Sequence, residues 1–391
     1  MRLVTGEFND SFPPIMDGVA NVVKNYAYWL NKKYGSCYVI TPTSPNYLDN
    51  EEFPVLRYYS IPLPTRHPYR CGIAGLDRTF LKRVREIPFD IVHAHSPFSA
   101  GGLALDIARR RNIPIVASFH SKYYDDFKFA FKSDFLARQA VKKVIRFFNA
   151  VDDVWTVNEA TKETLRSYGY KGPVTVIYNG TDFILAENPE KELAMVNERL
   201  QLSPGELVFL FVGQHVWQKN VHMLIESLHL LKQKGIKFKM IFDGTGYTAG
   251  EMKKLMKKLE LEECIHFMGI VLDRNLLRAL FMRADLFLFP SVYDTAGIVV
   301  KEAAAAGCPS VLLEKTNAAE GVIDNYNGFL APNDAELYAE RLFKLIADRE
   351  KIRQVGLAAQ ETIGNSWEEL VDVVYENYLE IIDRYKLKNK S

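Results

Sequence analysis

ADLFLFPSVYDTAGIVVKEAAAAGCPSVLL, residues 284–313, reads as a strand, a loop, a helix and a second strand. The apolar run ADLFLFP enters a loop that carries Asp294 and Gly297. An alanine-rich helix then begins near Ile298 and carries Glu302 about one turn inside. Free N–H groups at a helix start, beside a glycine that permits close approach, favour a diphosphate. Glu302 has the chemistry to accept hydrogen bonds from sugar hydroxyls.

The same βα rhythm extends outward. Downstream of residue 205 it runs through ELVFLFVG (206–213), FKMIFDGTG, CIHFMG, ADLFLFPS and CPSVLL. Upstream, YVIT near 38–41, DIVHAH from 90, IPIVASFH from 113, DDVWTV from 152 and VTVIYNG from 174 alternate with helix-length segments. Those helices are expected at about 18–33, 75–87, 99–111, 133–149 and 159–168. Short β-branched runs between amphipathic segments make a parallel sheet.

Between the two series, residues 179–205 are turn-rich and charged, with NGTDF, ENPEKE and LSPGE, which sets the domain boundary there. The expected fold class is therefore α/β, with two Rossmann-like parallel-sheet domains facing across a cleft at the carboxyl ends of their strands. The first spans 1–178 and the second 179–368. The last helix, about 369–391, either completes the second domain or packs back onto the first.

Length and composition agree. A chain of 391 residues, 48% apolar and 25% charged, has core enough for two or three domains and is neither disordered nor fibrous. Its 49 basic and 48 acidic residues argue against a chain built to coat nucleic acid. The balance is uneven, however. Residues 1–178 carry 24 basic and 17 acidic groups, net +7, and the remainder 25 and 31, net −6, so the first half can face an anionic partner. Cys37, Cys71, Cys264 and Cys308 are too far apart for a metal knuckle and fit reduced thiols. The start, MRLVTGEFNDSF, lacks the apolar core of a signal peptide, and no apolar run of membrane-spanning length follows. A cytoplasmic protein, soluble or peripheral on the inner face of the membrane, is expected.

The 290–313 segment resembles the signature of the retaining glycosyltransferases of family 4, which have the GT-B fold, with two acidic residues flanking seven others ahead of small residues, Gly and Pro. Asp294 and Glu302 match that spacing, with Asp294 where the family usually has Glu. FVGQHVWQKNVHMLIESL resembles the stretch in which an Arg and a Lys hold the donor diphosphate; Lys219 fits the Lys, and Gln214 stands in the Arg position. Another basic residue compensates for that lost cation, or donor affinity is lower. FDGTGY, with Gly244 and Gly246, resembles the Gly-rich donor loop, and Val271 lies where the backbone borders the nucleotide base. NDSFPPIMDGVANVV resembles the loop over the donor phosphates and brings in Gly18. His120, in IVASFHSKYYDDF, matches the family's histidine facing the transferred sugar.

The resemblance implies a hexosyltransferase acting with retention and without a metal, the nucleotide sugar (UDP by preference) being a substrate and not a cofactor. His120, Asp294, Glu302 and Lys219 would serve the reaction, and Gly18, Gln214, Lys219, Gly244, Gly246, Val271, Thr295, Ala296, Gly297, Ile298 and Glu302 the donor. No metal site is expected, since there is no DxD pair by a donor loop and no His or Cys cluster at ligand spacing; His93 and His95 share a strand face in a structural or acceptor-side role. The acceptor is expected to be an alcohol, such as the diacylglycerol used by similar bacterial enzymes, at an anionic membrane. Residues 122–146 interleave Phe127, Phe129, Phe131 and Phe135 with Lys122, Lys128, Lys132, Arg138, Lys142, Lys143 and Arg146, and Arg57, Arg66, Arg70, Arg78, Lys82, Arg83 and Arg85 add to them. The phenylalanines packing in the core is the other reading of that segment. A non-catalytic nucleotide-sugar-binding subunit, or an epimerase or phosphorylase of similar fold, is the alternative to a transferase.

Overall fold

The computed structural model describes residues 2–15, 17–63, 68–183, 186 and 188–389. Arg66, expected on the basic face, lies outside them. The chain forms two compact units, one of Met1–Asn179 with Trp367–Ser391 and one of Gly180–Ser366.

Unit 1 begins β1 (Leu3–Phe8), α1 (Gly18–Lys33), β2 (Gly35–Pro42) and β3 (Val55–Tyr58). A small antiparallel pair, β4 (Ser60–Pro62) and β5 (Arg70–Gly72), precedes α2 (Arg78–Glu86). Then follow β6 (Ile91–Ala94), α3 (Ser99–Arg111), β7 (Ile115–Phe119), α4 (Tyr123–Phe131) and α5 (Asp134–Phe148). The series ends with β8 (Asp153–Thr156), α6 (Glu159–Ser167) and β9 (Thr175–Val176). Among the described residues the main sheet has order β3-β2-β1-β6-β7-β8-β9, with every pairing parallel.

Unit 2 runs α7 (Pro189–Leu200), β10 (Val208–Val212), α8 (Val221–Gln233), β11 (Lys239–Asp243), α9 (Ala249–Lys258) and β12 (Ile265–Gly269). It continues with α10 (Arg274–Arg283), β13 (Leu286–Phe289), α11 (Ile298–Ala305), β14 (Ser310–Leu313), β15 (Phe329–Ala331), α12 (Ala335–Leu345) and α13 (Arg349–Thr362). Its parallel sheet has order β12-β11-β10-β13-β14-β15. VFLFV of β10 is buried along its whole length, as a central strand covered on both faces must be.

In each sheet the strand order reverses beside the first strand of the series, at β1/β6 and at β10/β13. Right-handed crossovers send the connections on either side of that point to opposite faces, which opens a crevice at the carboxyl ends of the strands. Two expectations change here. Residues 179–205 are not loop throughout: Asn188 caps α7 by accepting the Lys191 N–H, Pro189 occupies its first turn, and Val196 is buried. β1 is absent from the expected strands because Thr5, Gly6 and Glu7 break its apolar run, yet it lies inside the sheet, paired on both edges with β2 and β6.

The last helix, α14 (Trp367–Lys388), belongs to unit 1. Trp367, Val371, Val374, Tyr375, Tyr378, Ile381 and Ile382 recur at helical spacing and are buried, which makes one apolar stripe. Tyr375 stacks on Tyr34 at 3.8 Å between ring centres, and Tyr34 and Lys33 both donate to Asp372. Tyr378 reaches furthest in: its hydroxyl lies 3.0 Å from Glu7 Oε1 and 2.6 Å from His93 Nδ1. Replacing Tyr378→Phe leaves those two buried groups short of a partner, so urea denaturation is expected to show a loss of about 1–3 kcal/mol. An unchanged midpoint and slope would remove the hydroxyl from the account of how α14 is held.

Candidate functional site

Loops following β10, β11 and β13 build the site of unit 2. Gly213 ends β10 at φ +148° and Gly244 ends β11 at φ +124°. Only glycine takes these conformations without strain. The two loops are laced through their backbones: Gly213 N–H donates to Asp243 O (3.0 Å), His215 N–H to Thr245 O (2.9 Å) and Gly244 N–H to Gly269 O (2.6 Å). A Cβ at Gly244 would sit 2.0 Å from the Gly213 carbonyl oxygen, and one at Gly246 2.2 Å from that of His215. The two glycines predicted for a donor loop are thus required by contact between main chains.

Lys219 ends the short turn Trp217–Lys219 after β10 and meets Asp294, from the loop after β13, at 3.1 Å between Nζ and Oδ1. Its ammonium also lies 4.9 Å from the centre of the Phe289 ring. Asp294 is held in turn by the Ser291 hydroxyl, which donates to Oδ2 and accepts the Asp294 N–H. The cation and carboxylate therefore meet where the order of the sheet reverses. Gln214 is exposed beside them. Thr295 and Ala296 lead to Gly297, which adopts the left-handed conformation (φ 50°, ψ 55°) and caps the start of α11 at Ile298.

Glu302 lies about one turn inside α11. It is the fifth residue of α11, 4% exposed, and its carboxylate is engaged by Arg274 Nη2 at 2.7 Å. Burial raises its pKa above the ordinary carboxyl value and Arg274 opposes that rise. Arg274 also binds Asp182 in two places and lies 4.4 Å over the Phe183 ring, so NGTDF, expected to be structural, supplies the other half of a clamp on Glu302. Arg274 was not singled out from sequence; one arginine among three in residues 270–285 carries no local signal until α10 is packed. The N–H of Val271 donates to Asp243 Oδ1 at 2.9 Å. Burial, with Glu302 nearby, pushes Asp243 up to about 6.

In unit 1 Gly18 opens α1 and is exposed; Asp17 caps that helix by accepting the Ala20 N–H at 2.8 Å and receives the Tyr69 hydroxyl. At the reversal point of this sheet Asp10 accepts from the hydroxyls of Ser96 and Ser99 and the Ala100 N–H, which ties the loop after β1 to the start of α3. His120 directly follows β7 and is buried, with Nε2 3.1 Å from His95 Nδ1. His95 Nε2 lies 2.7 Å from Glu7 Oε2.

No cluster at ligand spacing was expected, yet the fold gathers Glu7, His93 and His95 with ligand-type atoms within 4.8 Å of one another. Their ring nitrogens already have partners in Glu7, His120, Tyr378 and Ser118.

Two parallel α/β units, each with its sheet order reversing beside the first strand, have the GT-B fold. The comparisons agree. The chain matches, over 98% of its length with a TM-score of 0.80 and 18% identity, all of a sucrose-phosphate synthase structure from Thermosynechococcus elongatus. It matches Anabaena HepE, solved with UDP and glucose, over 96% of this chain and 99% of that one, with a TM-score of 0.77 and 18% identity. Residues 16–183 match the family model Glycosyltransferase Family 4, and residues 196–362 match Glycosyl transferases group 1. The chain belongs to the family 4 glycosyltransferases. It is similar to the alpha-monoglucosyldiacylglycerol synthases of Streptococcus pneumoniae (26% identity, 88% of this chain and 78% of that protein) and Acholeplasma laidlawii (22%, 85% of each).

The backbone lacing carries a prediction. Gly244→Ala forces a Cβ against Gly213 and is expected to cost more than about 1 kcal/mol and to abolish the rise in melting temperature caused by a nucleoside diphosphate. Gly250→Ala, in α9 with nothing within 4 Å of the new atom, is the contrast: stability should hold or rise by up to about 1 kcal/mol. Equal behaviour of the two variants would deny the close approach any role.

Proposed function

We propose that this glycosyltransferase moves a hexose, with retention and without a metal ion, from a UDP sugar to a lipid hydroxyl such as that of diacylglycerol. The observation that carries the reading is the Lys219–Asp294 pair at the reversal point of the second sheet. Departure of a diphosphate gathers negative charge, and a fixed ammonium with oriented amides around Thr295–Ile298 stabilises it most in the transition state. Asp294, one methylene shorter than glutamate, contacts the sugar from a position already fixed by Ser291. Glu302, anchored by Arg274, presents its remaining acceptor capacity to sugar or ribose hydroxyls. His120 hydrogen-bonds the transferred sugar. Gln214 offers a neutral amide where a second cation is usual, and the diphosphate relies the more on Lys219. The diphosphate oxygen takes the acceptor proton as the new bond forms, so no protein nucleophile is used.

The nucleotide is supported by the UDP held in HepE, and the acceptor by the names of the two synthases. A surface feature of this chain supports the membrane. Phe129, Phe131 and Phe135 are 63%, 47% and 68% exposed on α4 and α5, beside Lys132, Lys142, Lys143 and Arg146. Phe127 is the member that packs against the core. Arg57 and Arg70 leave this basic surface, being tied to Asp49 and the Pro42 and Pro13 carbonyls, and to Ser60, respectively. Among the described residues no helix is long and apolar enough to cross a membrane, and exposed rings flanked by cations suit binding in the plane of the interface.

Incubation with UDP-glucose and diacylglycerol vesicles in excess EDTA is expected to give an α-linked product, with Lys219→Ala lowering kcat/KM by at least about tenfold and weakening UDP binding. Loss of product with the chelator, a β-linked product, or unchanged affinity for UDP in the variant would each refute its part of the proposal. Co-sedimentation checks the acceptor side: binding should rise with anionic lipid, fall with salt, and drop on Phe129→Ser with Phe135→Ser. Equal, negligible binding to neutral and anionic vesicles would return the acceptor to a soluble alcohol.

A further inference from the structure

Glu7 is fully buried in β1, an interior strand of unit 1, and a line of hydrogen bonds leads from it to His120. Its Oε2 is 2.7 Å from His95 Nε2, and His95 Nδ1 is 3.1 Å from His120 Nε2. The two imidazoles lie 17° from parallel. Burial lowers both, His95 to about 3, so at neutral pH each ring carries one proton. A neutral imidazole donates at one nitrogen and accepts at the other. Two such rings in series cannot choose independently.

We infer that Glu7 and His95 are positioning residues for His120: through this relay the ionisation of Glu7 decides whether His120 Nδ1 accepts or donates a hydrogen bond. The inference rests on the reading of His120 as the partner of the transferred sugar. With Glu7 ionised, its carboxylate accepts His95 Nε2–H, His95 Nδ1 accepts His120 Nε2–H, and His120 Nδ1 is left with a lone pair. With Glu7 protonated, its acid proton goes to His95 Nε2, because imidazole is a better acceptor than the Tyr378 phenol on the other oxygen. His95 Nδ1–H then donates to His120 Nε2, and the proton of His120 is on Nδ1. Passage from the second state to the first moves one proton from Glu7 to His95 and one from His95 to His120, and releases the Nδ1 proton of His120. One proton is lost overall and no heavy-atom bond changes.

Burial pushes Glu7 up to about 8, so both states fall within the working range of pH. The titratable groups facing it are Tyr26 of α1, Cys37 of β2, His93 and His95 of β6, and Tyr378 of α14. All remain neutral through that range, since burial raises the tyrosines and the thiol and lowers the histidines. The step therefore belongs to Glu7.

Long-range proton–nitrogen NMR of the full chain with labelled histidine reads each ring's tautomer directly. From about pH 6 to about pH 9.5, His120 is expected to pass from the Nδ1–H to the Nε2–H form with its midpoint near that of Glu7. Folded Glu7→Gln should hold one form throughout, and His95→Phe should make His120 indifferent to the titration. The wild-type series alone overturns the inference if His120 keeps one tautomer across the range, as does a shift that persists in Glu7→Gln. In the wild type, kcat should follow the tautomer while UDP affinity stays flat. A tautomer change with no echo in kcat would uphold the relay and refute the sugar contact of His120.

Discussion

A parallel strand can be followed by another only through a right-handed crossover, and the consequences of that handedness run through this protein. Where the order of a sheet reverses, two successive connections leave on opposite faces and their first residues are left side by side above the strand ends. In unit 1 this places the loop of Asp10 against the start of α3, and in unit 2 it places Lys219 against Asp294. These partners are 90 and 75 residues apart in the chain. Neither meeting depends on local sequence preference.

The second constraint is that polar groups brought into such places need partners. Asp294 is met by Ser291 and Lys219, Glu302 by Arg274, and Glu7 by His95 and Tyr378. A buried carboxyl without these contacts would shed its charge or unfold its surroundings. In unit 2 the partners are cations. In unit 1 they are neutral rings and hydroxyls, and burial pushes Glu7 far above the ordinary carboxyl range, whereas Asp243 of unit 2, with Val271 donating to it, moves less.

Much of this was legible from residues in order. The ranges 18–33 and 99–111 coincide with α1 and α3, since apolar spacing runs clear to a cap or a basic last turn. The GT-B architecture and the segment around Asp294 followed from strands of unmixed apolar character and from a motif with many matched positions. What stayed hidden was whatever depends on a partner distant in sequence. β1 looked too polar because the groups that satisfy Glu7 come from β6 and α14, and Arg274 looked ordinary because Asp182 and Glu302 stand 92 and 28 residues away. The burial of Glu302 was hidden for the same reason, since Arg274 of α10 holds its carboxylate.

Unit 1 is interrupted by unit 2 in the chain, and α14 closes it. During synthesis from the amino end, β1 to β9 and the whole of unit 2 are made before Trp367 to Lys388 exist to cover Glu7, His93 and Tyr34. Domains that are continuous in sequence fold as they emerge. Here the earlier-made half must wait, its carboxyl at Glu7 uncovered, until α14 has been made, so a chain cut short before Trp367 carries a finished second unit and an unfinished first.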